Sequence, residues 1–242
     1  NVCSSDLRLD KAPLGQIQHS VGPMLRWLQI MSHPDGQIAL FNDAAFDIAT
    51  NPSALDDYAR SLSIALPAQR PVAPLEVLAD SGYIRVTQGQ CVAILDVGAI
   101  GPDYLPGHAH ADTLSFELSL AGERVLVDTG TSTYQPGPER QRQRSTKAHN
   151  TVSIDGLDSS EVWGGFRVAR RARVHNLSYS DDGGVVVVEA SHDGYQRLPN
   201  QIRHHRRWRF SPGRIEIRDW LSGGPASAQA HWHLGATTQS LV

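Results

Sequence analysis

Two periodicities divide this chain. From residue 13 to about 66 the pattern is helical: Leu14, Ile17, Val21, Met24, Leu25, Leu28 and Met31 recur at the spacing of one helix face. Gly22-Pro23 would kink or restart that helix, because proline lacks the amide donor and crowds the preceding turn. His33-Pro34-Asp35-Gly36 ends it. A second helix is signalled by Asn51-Pro52-Ser53, with Ser53 as N-cap ahead of Ala54, Leu55, Tyr58, Ala59 and Leu62. Pro67, Pro71 and Pro74 then read as a linker.

From about residue 80 the period falls to two. Residues 83–87 and 91–97 read as strands around Gln88-Gly89-Gln90. Leu114, Phe116, Leu118 and Leu120 alternate with Thr113, Ser115, Glu117 and Ser119, the pattern of a half-buried strand. Further strand-like runs cover residues 151–154, 185–190, 202–210 and 214–218. Many short strands divided by Gly, Asp and Pro turns, without helices between them, predict an antiparallel β-sandwich. The expected fold is mainly β, with a helical segment over residues 8–72 and the sandwich over 73–242.

Ala121-Gly122 can close a hairpin between residues 113–120 and 123–129. With a two-residue loop, Ser115 faces Asp128 and Leu118 faces Val125. Leu114, Phe116, Leu118, Val125 and Val127 would then form a core face, with Asp128 on the other face beside Thr113, Ser115 and Glu117. A one-residue error in the loop reverses both faces.

Composition adds limits. The 242 residues, 40% of them hydrophobic, suffice for one substantial core. With 22 Lys+Arg against 25 Asp+Glu, nothing points to nucleic acid. Basic residues cluster at 140–147, 167–173 and 203–209; such clusters are usually solvated faces, but three of them would suit an anionic substrate. Cys3 and Cys91 provide no disulfide framework and no thiolate metal motif. No apolar run is long enough to span a bilayer. Residues 2–7 read like a translated sequencing adapter, so residues 1–7 are set aside, and Gln239-Ser240-Leu241-Val242 follows a strand-like run without a terminating element. An internal piece of a longer protein is expected.

The chemistry concentrates in Gly107-His108-Ala109-His110-Ala111-Asp112, then Asp128, then His149-Asn150-Thr151. Histidine both binds metal and moves protons near neutral pH, so the cluster is a metal site, an acid/base site, or both. In an extended segment His108 and His110 point the same way, and such a pair can divide its work between a metal and the substrate. Asp128 and His149 would complete a His-Asp-His set, whose two nitrogens and one oxygen suit Zn²⁺ with an open fourth position. A lone His-x-His is nevertheless a weak signal. Asp128 before Thr129-Gly130 can simply stabilise a turn, and His149-Asn150 can be a polar strand end.

Three motifs go further: Gly-His-x-His-x-Asp-x-Leu-Ser-Phe at residues 107–116, Val-Asp-Thr-Gly-Thr at 127–131, and Arg-Ser-Thr-x-Ala-His-Asn-Thr-Val-x-Ile-Asp-Gly at 144–156. Together they resemble the C-terminal domain of the heparinase II/III-like polysaccharide lyases, and Asp193-Gly194-Tyr195, His205-Arg206-Arg207 and Trp232-His233-Leu234 also fit. That resemblance implies an (α/α) toroid followed by antiparallel sheets. The helices before residue 66, with the loop from Asp35-Gly36-Gln37 to Asn42-Asp43-Ala44, would be the toroid's last part. It also implies cleavage of uronic-acid-containing polysaccharides by β-elimination. By motif position His110, Asp128 and His149 would ligate the metal, Zn²⁺ in a structural role, and His108 would face the substrate. Periplasmic or secreted localisation and an acidic polysaccharide partner are implied too, with a homodimer as a further possibility and no nucleic-acid or membrane partner.

Elimination needs the uronate carboxylate neutralised, a base for the C5 proton and an acid for the departing oxygen. His108 would serve as base or carboxylate partner. Arg140 and Arg144 have the fork geometry for bidentate carboxylate recognition, and Tyr134 could supply a phenol. The family's catalytic Tyr, with its Asn and His, lies upstream in the toroid, so this segment alone is expected to be inactive. The segment 140–146 also carries Arg142 and Gln143 where relatives often have aromatics. Two other readings stay open: a non-catalytic acidic-glycan-binding or exopolysaccharide-assembly component, and a metal-stabilised interaction module.

Overall fold

The computed structural model describes residues 11–67 and 73–236, with side chains from residue 19 onward in the first helix. Residues 2–7 with Cys3, Pro71 and residues 239–242 lie outside the described residues, as do the side chains of Leu14 and Ile17.

Helix α1 (Lys11–Ile30) runs through Pro23 as one element, so Gly22-Pro23 does not restart it. A single proline removes one backbone bond while keeping a helical φ, so the flanking turns carry the helix across it. Helix α2 (Pro52–Ser61) is capped by Asn51, not Ser53: the Asn51 side chain accepts from the Ala54 amide at 2.9 Å. Pro52 takes the first helical position, where its missing donor costs nothing. Residues 31–50 are turns, in keeping with a helix ended at His33-Pro34-Asp35-Gly36 and a loop through Asn42-Asp43-Ala44, and they seat Met31, Ala39 and Phe41 against Ile94. Among the described residues no helix is long and apolar enough to cross a membrane.

Two antiparallel sheets follow. The first, in spatial and sequence order, comprises β1 (Leu75–Leu78), β2 (Tyr83–Gln88), β3 (Cys91–Asp96), β4 (Phe116–Leu120) and β5 (Glu123–Leu126). Between β5 and the second sheet lie α3 (Pro138–Arg144), β6 (Val152–Ile154) and the short pair β7 (Val162–Trp163) and β8 (Arg167–Val168). The second sheet, ordered β12-β11-β10-β9, contains β9 (Val174–Asp182), β10 (Val185–His192), β11 (Arg203–Ser211) and β12 (Arg214–Ser222), and β13 (Ala228–Ala230) pairs with β6. Between the two sheets Ile84, Val86, Leu95, Phe116 and Leu118 pack with Val186, Val188, Trp208 and Phe210. The mainly β sandwich is therefore the fold, with two additions to the expected strands: the short β1 (Leu-Glu-Val-Leu) and the exposed edge strand β9, whose polar sequence did not announce it.

The β4–β5 hairpin positions the chemistry. Leu120 pairs with Glu123, so Ala121-Gly122 is the whole loop, with both residues at positive φ as this tight turn requires. A bulge between Leu118 and Ser119 makes Leu118 face Leu126, not Val125. Ser115 still meets Asp128, its hydroxyl 3.4 Å from Oδ2. The strand itself begins at Phe116, because Leu114 adopts φ 63° and the Ser115 amide bonds the Asp112 carbonyl at 2.8 Å. That turn folds residues 110–115 inward and buries His110 and Asp112.

Candidate functional site

Asp43 is the hub. Its Oδ2 accepts from His108 Nδ1 at 2.8 Å and its Oδ1 from His110 Nε2 at 2.9 Å. The Arg140 guanidinium grips both oxygens, with Nη2 to Oδ2 at 2.8 Å. Burial disfavours the Asp43 charge, yet the bonds from His110, Arg140 and His108 hold its carboxyl well below the usual range. Asp43 comes from the loop that the sequence places through Asn42-Asp43-Ala44, without a role assigned to it, and neighbouring Asn42 presents Oδ1 to the His110 amide at 3.3 Å.

The two histidines reach one carboxylate but differ in setting. The His108 side chain is 64% exposed, whereas His110 is fully buried. With Nδ1 held by Asp43, His108 presents Nε2 to the open side. Tyr134 and Phe166 flank it edge-on, at centroid distances of 6.0 and 6.3 Å, and Arg140 lies against both aromatic rings. Phe166 was not singled out in the sequence; an aromatic beside the Gly164-Gly165 turn is the signal that could have found it.

His149 is built in the same manner as His110. Its Nδ1 donates to Asp128, at 2.8 Å from Oδ2, and Asp128 also receives the Gly130 amide at 3.1 Å. Each buried imidazole thus has one nitrogen on a carboxylate, and the opposite nitrogens, His110 Nδ1 and His149 Nε2, have no partner. Both oxygens of buried Asp112 are likewise unpartnered. These three residues place one ligand atom each within 4.8 Å of one another. Buried polar atoms left without partners are costly, so an arrangement of three facing each other fits a cation. The carboxylate–histidine pairs fix the tautomers that leave lone pairs inward. Asp128, expected among the ligands, sits here behind His149, while Asp112 holds the third corner.

The charges agree with that geometry. Burial and repulsion by Asp128 raise the Asp112 carboxyl, against attraction from His149 and His110. Burial opposes a charged His149, but Asp128, Asp112 and Asp96 outweigh it and raise its imidazole to about 9. Burial lowers His110 despite its bond to Asp43.

Arg140 and Arg144 are fully buried, since α3 turns both inward. Arg140 is engaged by Asp43, the Gly165 carbonyl at 3.0 Å and the Thr131 hydroxyl at 3.0 Å. Arg144 donates to the Ala109 carbonyl at 2.9 Å and to the carbonyls of Trp163 and Arg167. Neither guanidinium is free for a solute carboxylate as the fold places it. Tyr134 remains half-exposed beside His108.

The backbone around the site is stitched by Asn150, whose amide group donates to the Phe116 and Val127 carbonyls at 2.9 Å and accepts from the His233 amide at 2.7 Å. Gly130 packs on the Asp43 segment so closely that a Cβ there would lie 2.3 Å from the Ala44 carbonyl oxygen. This contact explains why the Val-Asp-Thr-Gly motif carries a glycine.

Comparison with known proteins follows the same lines. The family described as Heparinase II/III-like, C-terminal matches residues 70–241. No curated protein matches the chain. Among solved structures, heparan sulfate lyase HepC from Pedobacter heparinus is 20% identical with a TM-score of 0.68, over 90% of this chain and 34% of that one. The Heparinase III-BT4657 gene product is 19% identical with a TM-score of 0.68, over 91% of this chain and 35% of that one. Another heparinase III is 18% identical with a TM-score of 0.64, over 86% of this chain and 35% of that one. At these identities the likeness is one of fold, and the chain spans about a third of the length of these structures.

Proposed function

The chain belongs to the heparinase II/III-like C-terminal family, and from that premise we propose that it is the C-terminal part of a lyase that cleaves uronic-acid-containing polysaccharides by β-elimination. The observation that carries this reading is His108: an exposed imidazole whose Nδ1 is anchored on buried Asp43, leaving Nε2 toward an open groove. In the elimination a base removes the C5 proton. The electron pair forms the C4–C5 double bond, the C4–O bond breaks, and the departing oxygen takes a proton. His108 Nε2 is suited to take that proton or to donate to the uronate carboxylate. Tyr134 and Phe166 form with it a cluster of three rings, each about 6 Å from the others, that holds the imidazole from one side. Arg140 acts through Asp43, and Arg144 through the Ala109 carbonyl next to both histidines, so their contribution is to position rather than to touch substrate.

A metal site of His110, Asp112 and His149, with Asp128 as ligand or as the carboxylate that orients His149, goes with this reading. Two imidazoles and carboxylate oxygen suit Zn²⁺. The ion would serve structure, joining the 107–115 turn to the segment before β6, because the exposed imidazole His108 is not among the three residues whose ligand atoms face one another. Periplasmic or secreted localisation accords with an extracellular polysaccharide as substrate.

The test uses the full-length gene product with a panel of acidic polysaccharides, including heparan and alginate types. New ultraviolet absorbance from an unsaturated uronate is expected with at least one of them, and its loss in His108→Ala. Absence of absorbance on all, with glycan binding retained, would move the assignment to a non-catalytic glycan-binding component.

A further inference from the structure

We propose that the groove opening beside His108 is an extended subsite for an acidic oligosaccharide, seating sugar units beyond the one at the reaction centre; this rests on the lyase reading above. The groove has a volume of about 1080 Å³ and includes His108 and Ala109 in its lining. Ligand pockets for small molecules run to about 1,000 Å³. A space of this size that opens at a reactive imidazole fits several linked sugars better than one.

Three segments build it: the β1–β2 turn, the loop at residues 101–105, and the start of the edge strand β9. Tyr104 is 88% exposed and Tyr179 is 49% exposed, with Leu105 and Leu177 also open to solvent. A soluble surface seldom gathers large apolar side chains around one concavity without a ligand to cover them. Tyrosine offers a ring face to the C–H face of a sugar and a hydroxyl to its polar edge, which suits an amphipathic chain.

Charge selects the kind of chain. Arg173 lines the groove, is exposed, and has no hydrogen-bond or ion-pair partner for its guanidinium among the described residues. Its neighbours in sequence are bound: Arg170 to Glu161 and Arg171 to Asp103. A free guanidinium beside stacking rings recognises a carboxylate or sulfate through paired N–H donors. Asp80 also lines the groove, on the β1–β2 turn, so the anionic group belongs at the Arg173 segment and not along the whole groove.

The shape is preformed. Gly82 and Gly98 line the groove with bare backbone, packed so tightly that a Cβ on Gly82 would lie 2.1 Å from the Gly98 Cα. Gly82 also holds φ +75°, a conformation that side chains resist. A preformed groove keeps the ordering cost of binding low.

The test measures kcat/KM of the full-length gene product on size-defined acidic oligosaccharides, from tetrasaccharide to dodecasaccharide. The parent should favour long chains. Tyr104→Ala and Arg173→Gln should each reduce the ratio of long-chain to short-chain kcat/KM by about tenfold, the equivalent of one lost stacking or paired contact. A ratio unchanged from the parent overturns the proposal. Should the parent turn over no acidic glycan, the lyase reading fails and the groove is judged by calorimetric binding of the dodecasaccharide. Binding by the parent that weakens in both variants then supports it, and no binding, or equal binding by the variants, overturns it. A desulfated dodecasaccharide separates the two anions: loss of the Arg173→Gln effect assigns sulfate, and retention assigns the uronate carboxylate.

Discussion

Asp43 and His108, 65 positions apart in the chain, meet at 2.8 Å, and the same carboxylate holds His110 and Arg140. One buried aspartate thereby sets the orientation of the exposed imidazole, the tautomer of a buried one, and the counter-charge of a buried guanidinium. Removing one partner from a buried charge pair typically costs about 3–5 kcal/mol, because the other charge is stranded. Asp43→Ala is therefore expected to lower stability by that order, read by urea unfolding. The double variant Asp43→Ala/Arg140→Met should recover part of the loss, since it strands no charge. A double variant less stable than both singles would show that Arg140 is not held chiefly by Asp43.

Metal content separates the two aspartates of the buried cluster. His110→Ala, His149→Ala and Asp112→Asn each remove a ligand atom, so bound metal and thermal stability should fall together. Asp128→Asn leaves the three facing atoms in place and weakens the hold on His149; loss of such an orienting partner costs about 10- to 100-fold in affinity. Elemental analysis of the purified variants after dialysis decides it. Full metal content in Asp112→Asn with none in Asp128→Asn would make Asp128 the ligand, as the family resemblance implies, and Asp112 its neighbour.

Gly130→Ala tests the joint between the sandwich and the Asp43 turn. A Cβ at φ +53° would lie 2.3 Å from the Ala44 carbonyl oxygen, so the Asp43 segment must move. A loss of about 1–3 kcal/mol is expected from strain at this position. Gly122→Ala, with nothing within 4 Å of its Cβ, keeps only the φ penalty and should cost less. Equal losses in the two would remove the contact with Ala44 as a cause.

What the chain discloses in advance depends on the range of the interaction. The alternation at Phe116–Leu120 and the two-residue Ala121-Gly122 loop are local, so the hairpin and the face shared by Ser115, Glu117 and Asp128 were legible. The alternation also runs through Thr113 and Leu114, but there it misleads, because the chain turns at φ 63° and the apolar Leu114 still ends in the core. Arg140 and Arg144 read as carboxylate-binding forks for a substrate or as a solvated face, and only the packing of α3 shows them buried on carboxylate and carbonyl oxygens of the protein itself. Asp43 falls in an expected loop, but nothing in the sequence marks it as the partner of His108, His110 and Arg140. Its partners lie 65 to 97 residues away, and no periodicity records a contact of that span. Asp112 stood within the visible cluster, but its burial without partners is a property of the fold alone.

Acid and alkali should act on different histidines. In the second sheet His192 Nδ1 accepts from the Gly194 amide at 3.2 Å, so its Nε2 donates to His204 Nδ1 at 3.1 Å. His204 Nε2 then donates to Asp219 at 2.7 Å, which Arg206 also grips. In this one-way chain an extra proton has no acceptor. Burial lowers both imidazoles from 6.5, helped for His192 by the neighbouring His204 and Arg206 and opposed for His204 by its Asp219 bond. Their folded pKa values lie below the unfolded value, so their stabilising effect is complete above pH 6.5 and declines as the pH falls. Each contributes a slope of at most about 1.4 kcal/mol per pH unit over its window. Asp219 adds a further loss below 3.8, since its carboxyl is held down by His204 and Arg206 despite burial. His149 has the opposite sign: raised to about 9, it stabilises the metal-free protein fully below 6.5 and loses that contribution as the pH rises through 9. The metal-free protein is thus expected to be most resistant to urea near pH 6.5 and weaker on both sides. His192→Asn should flatten the acid side and leave the alkaline side alone, while added Zn²⁺, by taking the place of the His149 proton, should flatten the alkaline side. Unfolding midpoints across pH 4 to 10 check it, and a midpoint that rises steadily from 6.5 to 9 without metal contradicts the protonated His149.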